Sequence, residues 1–533
     1  MPSPTTTLTP YTGPWTDVEI SHLLKRTMFG AKKSDIDYFK TKTVSQAIDE
    51  LVTITPTKPA PPIKDYVTTS ALTPDNNIVA GTTWVNDPNT DGTINSLRIS
   101  SFKKWWIGVM INQERSVSEK MTLFLHNHFS TETATVGNSQ YVYKHHDLLR
   151  QYALGNFKTL TKQITIDPAM LVFLNGQYNT ATAPDENYGR ELQELFCCGK
   201  GVDSLYTEAD VKAAAKVLTG WTNNSQTISS SFTISRHDKT DKQFSAFYNN
   251  TVITGRTDAT AGSAEIDDML TMIFNTNEAA KYICRCLYRW FIYYDITPTI
   301  ETNIIAPLAD IFRLNNFELK PVLSALFKSE HFFDSLNIGC QIKNPVDLVI
   351  GLCREFNLVF PASSDYASNY TMWNYLLSWL INLNQNIGDP PDVSGWKAYY
   401  QIPQYYELWI NSDTLPKRNQ YSDAMVMSGY TVNSNKLIID GIAFAKSLPT
   451  PSDPNLLIDD SIRLLFKIDL AADFKAQIKK DILLGGQVTD SYWTTAWNTY
   501  LSTPSDTANT NIVVTRLKTL YKYFMNLAEY QLC

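Results

Sequence analysis

From Asp17 onward, apolar residues return every three or four positions, in runs that stop at a Gly, a Pro or a capping residue. Ile20, Leu23, Leu24 and Met28 line one face of the first run, and Gly30 ends it. This spacing matches the helical period, and a helix with one apolar stripe must bury that stripe against another element. The same pattern predicts helices over 34–51, 101–112, 116–129, 141–167, 185–196 and 207–218. It resumes over 265–274, 277–294, 301–314, 319–329 and 346–356, and again through 423–533. The expected fold class is mainly α, a multi-helical globular protein. Local signals set some of the ends. Ser116-x-x-Glu119 reads as a capping box, Thr207 as a cap with Glu208 and Asp210 in its first turn, and Gly199 as a stop.

Two stretches break the period. Residues 53–95 are rich in Pro, Thr, Asn and Asp and read as a long loop or hairpin insert. Residues 222–262 are rich in Ser, Thr and Asn, with alternation such as Ser231-Phe232-Thr233-Ile234, and predict a small β-hairpin or sheet. The organisation expected is an extended arm over 1–14 and a helical domain over 15–335 that carries both inserts. A helical continuation follows over 336–422, with the loop Pro390-Pro-Asp-Val-Ser-Gly-Trp396, and then a C-terminal helical region over 423–533. A chain of 533 residues is expected to form two or more lobes.

Composition narrows the function classes. Apolar residues make up 43% and charged residues 19%, which is globular and not disordered. The net charge is −7 with no long basic run, which argues against nucleic acid as the main partner. No apolar stretch approaches the ~20 residues that span a bilayer. No signal peptide is visible at the N-terminus. Seven cysteines with no Cys-x-x-Cys pair read as buried free thiols, not as a disulfide framework or zinc ribbon, although a vicinal Cys197-Cys198 disulfide stays open.

The residues that could carry chemistry fall largely between 125 and 238. His126 and His128 flank Asn127. In an extended backbone, positions i and i+2 point the same way and could share a metal, whereas in a helix they diverge. Asn187, Glu191 and Glu194 have the spacing of one polar helix face, with Arg190 between them in i, i+4 pairs to Glu186 and Glu194. Glu191 and Glu194 are candidate catalytic carboxylates or metal ligands, with Arg190 as a catalytic candidate beside them. His237-Asp238 could bind metal or relay protons, or could simply close a turn. His145-His146-Asp147 is expected at the surface. Asn127, Asn187, Trp221 and Trp396 are candidate binding residues.

Nine segments in order resemble an uncharacterised bacterial family, domain of unknown function 1800. They are His22-Leu-Leu-Lys-Arg-Thr-Met-Phe-Gly30, Leu125-His-Asn-His-Phe129, Asp167-Pro-Ala-Met-Leu171, Glu186-Asn-Tyr-Gly-Arg-Glu-Leu-Gln-Glu-Leu-Phe196 and Tyr206-Thr-Glu-Ala-Asp-Val211, then Leu218-Thr-Gly-Trp221, His237-Asp238, Lys343-Asn-Pro-Val346 and Pro390-Pro-Asp-Val-Ser-Gly-Trp396. The likeness runs from about 15 to about 418. It departs from the family pattern at Leu125, usually Trp, and at Cys197-Cys198, usually Thr-Leu. The resemblance implies a periplasmic or extracellular setting and a protein partner from a second family related to alkaline phosphatases and sulfatases.

Three functions follow as expectations. The first is a structural, assembly or partner-binding protein whose polar motifs lock helices together, with the two inserts as partner surface. The second is a hydrolase in which His126, His128, Glu191, Glu194, His237 and Asp238 converge on a divalent metal. The third is carbohydrate binding through exposed aromatics such as Trp84, Trp396 and Trp409.

Overall fold

The computed structural model describes residues 4–53, 57–68, 75–396 and 406–533. Parts of the first insert (54–56 and 69–74) and of the 336–422 continuation (397–405) lie outside the described residues, as do residues 1–3 of the arm. The remainder is mainly helical, with three two-stranded antiparallel sheets among the described residues. Buried apolar side chains from Ile20 to Tyr530 form one connected cluster. Among the described residues no helix is long and apolar enough to cross a membrane.

The helix Gly92–Ile111 lies near the middle of the fold and packs against Tyr366–Asn382, Ser139–Gln151 and Pro345–Glu355. It starts nine residues earlier than the apolar period suggests. The Asp91 carboxylate caps it by accepting from the amides of Thr93 and Ile94 at 2.8 and 3.0 Å. Tyr366–Asn382 was not anticipated as a helix; apolar and aromatic residues occur on several of its faces, so no single stripe shows. Ser118–His128 packs on Ser139–Gln151. The capping box expected at Ser116 does not form: the Ser116 hydroxyl sits 2.7 Å from that of Ser118, and Glu119 pairs with Arg150 instead. The single helix expected over 141–167 is two, Ser139–Gln151 and Phe157–Thr165, because Asn156 caps a second start through the Thr159 amide at 2.9 Å.

The 222–262 insert holds the expected β structure. Trp221–Asn224 pairs with Ser229–Phe232, and Lys242–Gln243 with Val252–Ile253. A third hairpin, Tyr430–Val432 with Asn435–Leu437, interrupts the C-terminal helices. The arm, residues 4–14, carries no helix. It runs along 328–334, with the Tyr11 amide donating to Lys328 O and the Thr5 amide to Asp334, both at 2.8 Å. The other end of the chain is held similarly: Cys533 N donates to Gln341 O at 2.8 Å.

Candidate functional site

The Ser118–His128 helix keeps its turn through the whole His-Asn-His segment and ends only at Phe129. Positions two apart on a helix lie on nearly opposite faces, so the two imidazoles separate. His126 turns toward Trp106 and Trp396, with ring centroids 5.2 and 5.8 Å away. His128 turns into a nest of Phe124, Phe129 and Phe157, and its Nε2 lies 2.9 Å from Phe196 O. The expected metal shared by His126 and His128 therefore lacks its geometric basis: it needed an extended backbone, and the backbone is helical.

Asn127, between them, accepts from the Trp396 amide at 2.8 Å. The loop 388–396 is fastened at further points. Ser130 donates to Asp392 O at 3.2 Å. The Asp389 carboxylate receives the Thr133 amide and hydroxyl at 2.8 and 2.5 Å and also pairs with Lys103. Burial alone would raise the Asp389 pKa, but Lys103 and Thr133 outweigh it and hold the carboxyl below its usual value. The segment is thus a dock for the Pro-Pro-Asp-Val-Ser-Gly-Trp loop.

Burial holds both imidazoles neutral. It lowers His126 to about 3, helped by the nearby His145, and His128 to about 4 against the opposing pull of Phe196 O. The unfolded chain, with histidines near the ordinary 6.5, binds these protons and the folded chain resists them. Stability is therefore full above pH 6.5 and falls as the pH drops from there toward 4. Between pH 6.5 and 5.5, His128→Phe is expected to remove about 1 kcal/mol of that loss. Urea unfolding across this range measures it; an unchanged pH slope in the variant would contradict the assignment.

His145 and His146 are buried, not at the surface as expected. His145 Nδ1 lies 3.0 Å from Asp167 Oδ2, the carboxylate that caps Pro168–Phe173, and its Nε2 lies 3.2 Å from Phe129 O. His146 packs edge-on to Trp106 at 4.2 Å, and its Nδ1 lies 3.2 Å from the Arg150 guanidinium, which is also forked to Glu119 at 2.7 and 2.8 Å.

Glu191 ends the short helix Asn187–Glu191, and a π turn, Leu192–Cys197, follows. The wider turn rotates later side chains out of the expected i, i+4, i+7 register. Asn187 Nδ2 reaches toward Leu174 O at 3.5 Å, Glu194 pairs with Lys200 at 3.0 Å, and Arg190 forks onto Glu208 at 2.7 Å. Glu191 is partly exposed and makes no ion pair among the described residues. Partial burial, then Glu194 and Asp392, raises its carboxyl to about 6 against the pull of Arg190. Asp392 belongs to the docked loop, so Glu191 lies within electrostatic reach of one edge of it.

His237 and Asp238 belong to a separate cluster. His237 Nδ1 lies 2.9 Å from Thr219 O, and Asp238 receives the amide and hydroxyl of Thr240. The partner that sequence reasoning missed is Glu265, wholly buried in the second turn of Ala261–Phe274. Its Oε2 accepts from Lys242 Nζ at 2.6 Å and its Oε1 from the Arg256 amide at 2.8 Å. His237 Nε2 lies 3.3 Å from Glu265 Oε1. In the sequence Glu265 is one of three carboxylates in Glu265-Ile266-Asp267-Asp268, and nothing there singles it out. Trp221 packs on Phe232 at 5.5 Å with its indole nitrogen buried.

Among the described residues, no three His, Cys, Asp or Glu side chains are grouped as a metal ion would require. A model of the family described as "Protein of unknown function (DUF1800)" matches residues 22–532. The chain belongs to the DUF1800 family. No curated protein and no solved structure matches it.

The DUF1800 match reaches well beyond 418, where the resemblance read from motifs faded, and includes the C-terminal helices. The motif segments occupy several interior places in the fold. Three of the tryptophans offered as a sugar-stacking surface, Trp84, Trp396 and Trp409, are buried, at 0%, 3% and 4% exposure, so that surface is not available in the DUF1800 fold seen here.

Proposed function

We propose that this DUF1800 protein is a structural or assembly protein of the bacterial envelope or extracellular space that offers a rigid helical body to a protein partner. The supporting observation is how the His-Asn-His segment is used: all three side chains are directed at neighbouring elements, and two of the three help seat the 388–396 loop. Asn127 and the His128 Nε2 atom find their partners in this way, and such bonds specify a packing without needing a substrate. The partner surface belongs to the inserts. Val67 and Val79 in the first are 82% and 70% exposed and give it an apolar face to offer.

A second reading has one observation in its favour. Glu191, half-buried beside a π turn and titrating near 6, has the acidity of a general acid or base at neutral pH. In that reading the chain is a hydrolase with Glu191 as its proton-transfer group.

One experiment separates them. The purified chain is titrated by calorimetry with the phosphatase- or sulfatase-related protein that the family resemblance implies as partner. The partner reading expects binding that weakens at least roughly tenfold in a Val67→Asp, Val79→Asp double variant and persists in Glu191→Gln. Absence of binding, together with a hydrolytic activity abolished by Glu191→Gln, would overturn it.

A further inference from the structure

Two segments of the family resemblance, the one beginning at His22 and the one beginning at Lys343, have no part in the loop dock. They meet instead in the interior, with a third segment around Lys467. Lys25 Nζ lies 2.5 Å from Glu355 Oε1 and 2.8 Å from Leu465 O. Lys467 Nζ reaches Ser21, one turn before Lys25 on the same helix. Lys343 Nζ lies 3.8 Å from the Tyr530 ring centroid and makes no hydrogen bond among the described residues. The Tyr530 hydroxyl lies 3.5 Å from Glu355 Oε2, which closes the group. All three lysines are at least nine-tenths buried.

The charges do not balance. Lys25 is the lysine in direct contact with Glu355, while Glu355, Cys533 and Asp347 act on Lys343, and Glu355 and Glu19 on Lys467, from further away. Arg26, beside them on the same helix, has buried Nε and Nη1 atoms without partners. Arg418 adds a further cation; among the described residues it bonds to neutral oxygens of Trp409, Gln531 and Lys343, with Cys533 and Asp347 acting on it as negative groups. The nearby Asp347 is already paired with Lys120. Buried charge is costly unless it is compensated, and lysine ammonium groups with spare donors are common phosphate binders.

We propose that Lys343 and Lys467, with Lys25 behind them on Glu355, hold a buried tetrahedral oxyanion, inorganic phosphate or sulfate. Without the anion, burial lowers the Lys343 ammonium to about 8 and drives Lys467 far below its ordinary value, with Lys25 pushing the same way. The anion supplies the missing counter-charge and accepts the hydrogen bonds that Lys343 lacks.

The test uses the full chain. Ion chromatography of the denatured protein, purified without added phosphate or sulfate, should release about one equivalent of one of them, and its identity distinguishes the two. If the chain is obtained empty, titration with either anion should raise the thermal midpoint saturably by roughly 2–4 °C, while chloride at matched ionic strength does not. Lys343→Met and Lys467→Met should each fold without the anion and lose the released equivalent or the shift, and the exposed Lys480→Met should keep it. No released oxyanion together with no saturable shift would overturn the proposal. So would release or a shift undiminished in both buried variants.

Discussion

Replacing Glu265 by leucine is expected to destabilise the fold by about 3–5 kcal/mol, because it leaves a buried ammonium without its counter-charge. Glu265 and Lys242 are both fully enclosed, 2.6 Å apart. The same carboxylate also receives the Arg256 amide, so the substitution orphans a backbone donor as well. The double variant Lys242→Met, Glu265→Leu should recover much of the loss, since an apolar pair of similar volume avoids burying two charges. Chemical unfolding of the three variants measures both effects. A single variant within about 1 kcal/mol of the parent would show that the pair is not enclosed as described.

Gly395→Ala is expected to cost about 2–4 kcal/mol, through two separate penalties. Gly395 has φ +80°, where a side chain is strained. A Cβ there would also lie 2.4 Å from both the carbonyl and the side-chain oxygen of Asn127. The Asn127 side chain could rotate away, but only by giving up the Trp396 amide; the helix carbonyl cannot move without distorting its turn. The loss should therefore come with altered tryptophan fluorescence as Trp396 leaves its seat beside His126. Unchanged stability and emission would mean that the loop is not held there.

The helical class was legible because stripes such as Ile20, Leu23 and Leu24 report their own burial. The same logic failed for Tyr366–Asn382, where tryptophans and tyrosines spread apolar character around the helix. The candidate site was legible as residue types but not as an arrangement. Whether His126 and His128 converge depends on one backbone conformation, and the sequence allows either. His145-His146-Asp147 reads as a surface segment because three consecutive polar residues splay around a helix axis; here Asp167 and Phe129 O, distant or reversed in chain order, satisfy the first ring inside the core. Glu265 was not legible, since its partners Lys242 and Arg256 reach it only after the insert folds back.

The first helix is joined to residues made last. Ser21 and Lys25 find Lys467 and Leu465 across 446 and 440 positions of chain. At a synthesis rate of about 5–20 residues per second, the amino-terminal segment waits roughly 20–90 s for the oxygens and ammonium that complete it. Until then, Ser21 lacks Lys467, Lys25 lacks the Leu465 carbonyl, and the apolar side of that helix lacks its cover from 454–465. This face of the first helix therefore stays uncovered for most of the chain's synthesis. Closure is a late event, the kind of timing a chain needs if it must be held unfolded by a chaperone or passed through a narrow channel before it takes its final form.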